Sequence, residues 1–148
     1  MTGKVFVDVG CAEGYSSLEI IEEAKHVYLF EQDEQWLEAI RATFEPWQDK
    51  VTIVQKYVSD HNSSREQTLD DFFNNQTNEH LFLKMDIEGA ERHALAGCNN
   101  LFQNCQKLDF AIAHTTCVMT KKLSLHFWTN ITAHILIKKV FSGIKSAV

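Results

Sequence analysis

The sequence is poor in residues that interrupt regular structure. It contains one proline and six glycines among 148 residues, which argues against linkers and low-complexity segments. No uncharged apolar stretch reaches the roughly 18 residues of a membrane span. The four cysteines show no C-x-x-C spacing, and charged residues come too early for a secretory signal. We therefore expect a cytoplasmic protein with reduced thiols and no membrane span.

Acidic residues are absent from one end of the chain. Residues 114–148 contain five lysines and no Asp or Glu, whereas residues 1–113 contain nine Lys/Arg against 20 acidic residues, a formal net charge of −11. An acidic body disfavours nonspecific binding to nucleic acid, so no nucleic-acid partner is expected. The change in composition predicts a folded core over residues 1–113 and an atypical basic tail over residues 114–148.

The core alternates short apolar runs with amphipathic stretches. Apolar, β-branched runs predict strands, and stretches with apolar residues at helical spacing lie between most of them. The predicted strands cover residues 5–9, 27–30, 51–54, 81–85 and 108–113. The stretch 34–44 is the clearest amphipathic helix. This order predicts a doubly wound α/β fold with a mainly parallel sheet.

Three groups of candidate functional residues directly follow predicted strands. Ligands of doubly wound sheets bind beyond the carboxyl ends of the strands. Asp8, Gly10 and Gly14 belong to the turn after the first strand, where glycine lets the backbone turn tightly and approach a ligand. Glu31 ends the second strand, where a carboxylate can hold the hydroxyls of a ribose. The acidic segment 86–91 follows the fourth strand. Together the groups predict a nucleotide-type site.

Each group alone also allows a purely structural interpretation. The G-x-x-x-G spacing is common in turns, and Glu31 could be a solvated loop acid. Glu88 and Glu91 could serve as favourable charges at a helix N-terminus. The acids at 86, 88 and 91 could also ligate Mg²⁺, but acids on one short turn more often cap a helix, and we expect no metal site. The order of all three groups favours the ligand site.

The turn after the first predicted strand is acidic and disfavours a phosphate ligand. A dinucleotide fingerprint needs G-x-G-x-x-G, and the middle glycine is missing here. Asp8, Glu13 and Glu31 would repel a pyrophosphate at this position. They suit a ligand that carries a ribose, a positive amine and a sulfonium, as S-adenosylmethionine does. NAD is the weaker alternative.

Several segments resemble successive motifs of FkbM-type class I methyltransferases, among them VFVDVGCAEGYSS, VYLFEQDEQWL and LFLKMDIEGAERHALAG. The resemblance covers about residues 4–113. It implies a Rossmann-like fold and an S-adenosylmethionine-dependent methyltransferase that modifies a hydroxyl of a sugar or natural product. The expected partner is thus a small-molecule or glycan acceptor.

The resemblance also implies roles for individual residues. The turn after the first strand lines the methionine side, Glu31 binds ribose, and the segment after the fourth strand faces the sulfonium or the acceptor. The implied cofactor-binding residues are Asp8, Gly10, Gly14, Glu31, Asp86 and Glu88. Asp86 is in addition the candidate general base for the acceptor hydroxyl.

Both ends of the chain depart from the family pattern. The first strand lies almost at Met1, and residues 114–148 lack the expected continuation. We therefore expect a core that is incomplete at both ends and turns over poorly. One hypothesis is a reading-frame shift near Ala113; the alternative is a divergent amphipathic tail that binds a membrane surface or a partner. The alternative function is a non-catalytic module that binds S-adenosylmethionine or another nucleotide.

Overall fold

The computed structural model describes residues 1–74 and 79–112. Segments 75–78 and 113–148 lie outside the described residues, and with them the predicted basic tail and its boundary. The frame-shift hypothesis and its alternative therefore remain hypotheses. Among the described residues, no helix is long and apolar enough to cross a membrane.

The described residues form short strands and helices that alternate along the chain. The strands are β1 Val5–Val9, β2 His26–Phe30, β3 Val51–Val54, β4 Tyr57–Val58, β5 Glu66–Gln67, β6 His80–Met85 and β7 Lys107–Ile112. The helices are α1 Tyr15–Ile20, α2 Glu34–Phe44, α3 Leu69–Phe72, α4 Glu91–Ala96 and α5 Asn99–Asn104. A single 3₁₀ turn, Glu45–Trp47, follows α2.

Five strands form one parallel sheet in the order β3-β2-β1-β6-β7. The chain moves outward from β1 to β3 and then returns to the other side of β1 with β6. Phe30 and Met85, the last residues of β2 and β6, both pair with Val9. The topological switch point therefore lies between β1 and β6, where such sheets bind ligands. The predicted doubly wound fold is confirmed.

The central strand β1 is buried on both faces. All five of its residues are buried, as expected for a parallel strand covered by helices on two sides. Val5, Val7 and Val9 belong to a core cluster with residues of β6, α3, α4 and α5. Phe6 belongs to a second cluster with residues that follow α1 or lie in α2. The sheet thus separates two apolar layers.

Three details differ from the sequence-based expectation. The segment 62–67 is polar, which favours a loop, yet it contains β5, because a two-residue strand paired with β4 is too short to give a periodic signal. The segment from Tyr15 to Glu23 carries apolar residues at helical spacing, yet the helix there ends at Ile20. Helix α5 was not expected. Its start is held by Asp70, whose carboxylate accepts hydrogen bonds from the backbone N–H groups of Asn100 and Leu101.

Candidate functional site

The turn between β1 and α1 is shaped by two glycines in the left-handed region. Gly10 has φ 74° and Gly14 has φ 78°, a conformation that L side chains rarely adopt. A Cβ on Gly10 would lie 2.2 Å from the backbone oxygen of Asp86. A Cβ on Gly14 would lie 2.7 Å from the ring of Phe44. Gly10 therefore allows the turn to pack directly against the loop that follows β6.

Asp8 lies beneath this turn with no exposed surface. Its Oδ1 accepts a hydrogen bond from Nζ of Lys84 at 2.8 Å, and its Oδ2 accepts one from Oγ of Ser17 at 2.7 Å. Burial raises the pKa of the Asp8 carboxyl, while the ammonium of Lys84 and the hydrogen bond from Ser17 oppose that effect. The structure thus places Asp8 under the glycine turn, with both carboxylate oxygens already bound to protein groups.

Glu31, at the end of β2, joins the second strand to the glycine turn. Its Oε2 accepts from the backbone N–H of Ala12 at 3.0 Å, and its Oε1 accepts from those of Gln32 and Asp33, both at 2.9 Å. A carboxylate offers about four acceptor positions. Three are used here, which leaves Oε2 with capacity for a further donor such as a ligand hydroxyl. The carboxylate is partly exposed and is fixed in place before any ligand arrives.

The loop after β6 brings Asp86 next to Gly10. The backbone N–H of Asp86 donates to the carbonyl of Val9 at 2.9 Å, which continues the pairing of β1 with β6. Both carboxylate oxygens of Glu91 accept from the backbone N–H of Gly89 at 3.0 Å and so close the loop. Within the described residues, the half-buried carboxylate of Asp86 makes no hydrogen bond. It is therefore free to accept one from a ligand.

Backbone strain in the described part of the chain is concentrated in these two loops. Ala12 has φ 46° and Glu88 has φ 44°, and they are the non-glycine residues with positive φ there. Such conformations are unfavourable for residues with a Cβ and are frequent at functional sites. Glu88 is exposed, so its carboxylate faces the solvent at the carboxyl edge of the sheet. The structure thus places every predicted site residue at or directly beneath this edge.

The chemistry of the edge is that of carboxylates. Exposed Glu13 and Glu88 flank the partly buried Glu31 and Asp86. Burial raises the pKa of the Cys11 thiol far above its ordinary range, so Cys11 stays protonated and is not a nucleophile. Among the described residues, no group of three His, Cys, Asp or Glu side chains is arranged to hold a metal ion. The edge suits ligands that present hydroxyls or positive charge.

Two polar residues of this region were not singled out from the sequence. Lys84 and Ser17 both bind Asp8, yet neither was assigned a role. The signal was present for Lys84, because a lysine that follows the apolar run Leu81–Leu83 in strand β6 needs an acceptor within the fold. Ser17 gives no such signal, since a serine in a helix is ordinary.

The strand order and the glycine turn are those of Rossmann-like α/β proteins, in which ligands bind at the switch point. A comparison with protein-family profiles matches residues 9–107 to the family described as "Methyltransferase FkbM domain". The chain therefore belongs to the FkbM methyltransferase family, and the resemblance seen in its sequence is confirmed. A search of curated protein sequences found no match.

Solved structures share the fold at low sequence identity. An rRNA methylase from Streptococcus thermophilus is 13% identical with a TM-score of 0.52; the match covers 72% of this chain and 58% of that one. A conserved hypothetical protein from Streptococcus pyogenes is 11% identical with a TM-score of 0.55, covering 82% of this chain and 74% of that one. The chain thus spans less than two thirds of the rRNA methylase. These matches support the Rossmann-like fold.

Proposed function

We propose that this chain binds S-adenosylmethionine at the carboxyl edge of β1, β2 and β6 and transfers its methyl group to a hydroxyl of a sugar or natural product. The observation that carries the proposal is the packing of the glycine turn against the Asp86 loop, with the Glu31 carboxylate bound to the same turn. Membership of the FkbM methyltransferase family supports the same cofactor and reaction.

The residues at the edge fit this cofactor by their donor and acceptor chemistry. S-adenosylmethionine supplies, when bound, a methyl group on a positively charged sulfonium. Glu31 retains acceptor capacity for a ribose hydroxyl. Glu13, Asp86 and Glu88 surround the edge with negative charge, which favours a cationic ligand over a pyrophosphate. The turn from Gly10 to Gly14 would receive the methionine part.

Asp86 is the proposed general base. The residue is half-buried, its backbone lies against Gly10, and none of the other described residues forms a hydrogen bond with its carboxylate. It would accept the proton of the acceptor hydroxyl as the acceptor oxygen bonds to the methyl carbon and the bond from that carbon to sulfur breaks. Positioning of the two reactants should supply most of the rate enhancement, as in other in-line displacements.

Electrostatics favour a neutral acceptor over a nucleic acid. Residues 1–112 contain nine Lys/Arg against 20 Asp/Glu, and the edge itself carries exposed acids. The sugar-phosphate backbone of a nucleic acid would need to bring its negative charges against this acidic surface, whereas nucleic-acid sites are usually basic. We therefore propose a small-molecule or glycan acceptor. The rRNA methylase named above shares the fold with this chain, so RNA is the comparison that the experiment must include.

A radiolabel transfer assay tests the proposal. The chain would be incubated with methyl-labelled S-adenosylmethionine and, in parallel, with mixtures of neutral glycans, plant and microbial natural products, and transfer and ribosomal RNA. Label should appear slowly in a hydroxyl-bearing neutral acceptor, in keeping with the poor turnover expected from the sequence, and be lost in Asp86→Asn. Glu79→Gln, which changes an acid far from this edge, serves as the control. Labelling of RNA instead would contradict the proposed acceptor class. Cofactor binding without transfer to any acceptor would favour the non-catalytic module.

A further inference from the structure

A buried charge network lies directly beneath the two loops of the candidate site. The Asp8 carboxylate is fully buried and holds Lys84 at 2.8 Å with one oxygen and Ser17 at 2.7 Å with the other. The Lys84 side chain is 21% exposed. Asp8 and Lys84 are direct neighbours in the parallel pairing of β1 with β6, and Ser17 belongs to α1. Three elements therefore meet at one carboxylate.

The network lies under the part of the site where the two loops touch. Gly10 follows Asp8 by two residues, and Asp86 follows Lys84 by two residues. The backbone oxygen of Asp86 occupies the space where a Cβ of residue 10 would stand. Ser17 is the third residue of the helix that begins after the glycine turn. A shift of the Asp8 carboxylate would therefore move the turn, the Asp86 loop and the first turn of α1 together.

We propose that Lys84 is a positioning residue for cofactor binding: with Ser17 it holds the Asp8 carboxylate, which fixes the glycine turn against the Asp86 loop. This rests on the proposed function, in which the methionine part of the cofactor lies at that turn. Asp8 then acts from beneath the turn and not by contact with the cofactor, because it has no exposed surface.

The network cannot lose one member without consequence. Removal of one partner from a buried ion pair leaves an uncompensated charge and is more harmful than removal of both. The carboxylate would then move toward solvent or toward other donors, and the glycine turn that follows β1 would move with it. If Lys84 merely stabilised the fold, its removal would instead weaken the binding of all ligands equally, because a smaller fraction of the chain would be folded.

The chain offers a matched control at the opposite end of the same sheet. Lys4 pairs with Asp109 at 2.6 Å, and the two side chains are 25% and 28% exposed. Lys4 precedes β1, and Asp109 lies in β7. Lys4→Met and Lys84→Met therefore both remove a partly buried ammonium from a Lys–Asp pair, but only Lys84 lies beneath the candidate site.

The test compares two ligands that differ in the amino-acid part. S-adenosylhomocysteine carries it, whereas 5′-methylthioadenosine lacks it. In calorimetry, Lys84→Met should weaken S-adenosylhomocysteine roughly tenfold or more and 5′-methylthioadenosine by less than about threefold, since a buried unpaired group is worth about one tenfold step or more. Lys4→Met should leave the ratio of the two ligand affinities at the wild-type value. Chemical denaturation should nevertheless show that the Lys4→Met variant is less stable than the wild type.

A milder pair of variants decides the matter if Lys84→Met does not fold. Ser17→Ala removes one hydrogen bond from Asp8 and should lower the affinity for S-adenosylhomocysteine relative to that for 5′-methylthioadenosine. Ser17→Thr keeps the hydroxyl and should keep the wild-type ratio of the two affinities. Ser16→Ala, its neighbour in α1, should leave the ratio unchanged. A wild-type ratio in both Lys84→Met and Ser17→Ala, or in Ser17→Ala alone if Lys84→Met is unfolded, would overturn the positioning role. Failure of the wild-type chain to bind S-adenosylhomocysteine would overturn the proposed function as well.

Discussion

Gly10 and the backbone of Asp86 occupy adjoining space: a Cβ on residue 10 would stand 2.2 Å from the Asp86 carbonyl oxygen, closer than any real side-chain contact. Because Gly10 begins one loop of the candidate site and Asp86 begins the other, this contact sets how closely the two loops approach each other. Any residue other than glycine must push the two loops apart. The added Cβ would meet a backbone atom of Asp86, so no side-chain rotation can relieve the clash.

Gly10→Ala should therefore destabilise the chain by more than its backbone conformation alone explains. Gly3 is the matched control, since it has φ 75° but nothing within 4 Å of its would-be Cβ. We expect Gly3→Ala to lower the free energy of unfolding by about 1 kcal/mol, and Gly10→Ala by about 3 kcal/mol or more because overpacking is added. Denaturant unfolding measures both. Equal losses would show that the Asp86 contact is not tight.

Glu31→Ala should weaken S-adenosylhomocysteine by about 1–3 kcal/mol, because a ligand hydroxyl and the N–H of Ala12 would both lose their acceptor. Asp33→Ala is the control: Asp33 lies two residues further on and accepts from the N–H of Gln35 at the start of α2. That variant should lose about 1 kcal/mol of stability with unchanged ligand affinity. Calorimetry that gives equal affinities for wild type and Glu31→Ala would show that Glu31 binds no ligand.

Strain at Glu88 should be visible as a difference between two substitutions. Glu88→Ala keeps a Cβ at φ 44°, whereas Glu88→Gly removes it. We expect Glu88→Gly to be more stable than Glu88→Ala by about 1 kcal/mol in chemical denaturation, since the left-handed conformation is unfavourable for L residues. In an ordinary helical position the order would be reversed. A more stable Glu88→Ala would mean that this loop relaxes out of the left-handed region.

The pKa of His61 should lie above its ordinary value of 6.5. The hydrogen bond to Asp60 and the charge of Glu66 raise it, and the two ring nitrogens lie 2.8 Å from the respective carboxylates. Hydrogen bonds from His61 and His93 hold the pKa of Asp60 at about 2. The stabilisation from charged His61 is complete below pH 6.5 and is lost as the pH rises through the folded-state pKa.

Nuclear magnetic resonance titration of the histidine rings measures the pKa of His61 directly. Asp60→Asn should lower the pKa of His61, because a neutral amide stabilises the imidazolium less than a carboxylate does. His26, whose pKa is lowered by burial, serves as the internal control and should not respond. An unchanged His61 titration in the variant would show that the pair does not form in solution.

The sequence revealed the parts of the site that follow from local pattern. Short apolar runs predicted the five strands of the sheet, and the residues after them proved to lie together because carboxyl ends of parallel strands share one edge. Thr68 with Asp71 three residues later is a sequence pattern of helix N-termini, and the Thr68 hydroxyl does accept from the N–H of Asp71. These features depend on residues that are near one another in sequence.

Contacts between distant residues were not visible in that way. Asp8 and Lys84 are 76 positions apart, and the carboxylate of Asp70 reaches a helix 30 positions further on. Glu31 was assigned to a ligand, but three backbone N–H groups bind it as well, and only the folded turn shows that. Periodicity identifies an element, while the partner of a buried charge depends on how the elements assemble.

Calorimetric titration of the wild-type chain with S-adenosylhomocysteine and, separately, with NAD tests the central claim most directly. The acidic turn and the fixed Glu31 carboxylate predict saturable binding of S-adenosylhomocysteine that is tighter than any binding of NAD. Tighter binding of NAD, or no heat of binding with S-adenosylhomocysteine while the chain is folded, would contradict the assignment of this edge as an S-adenosylmethionine site.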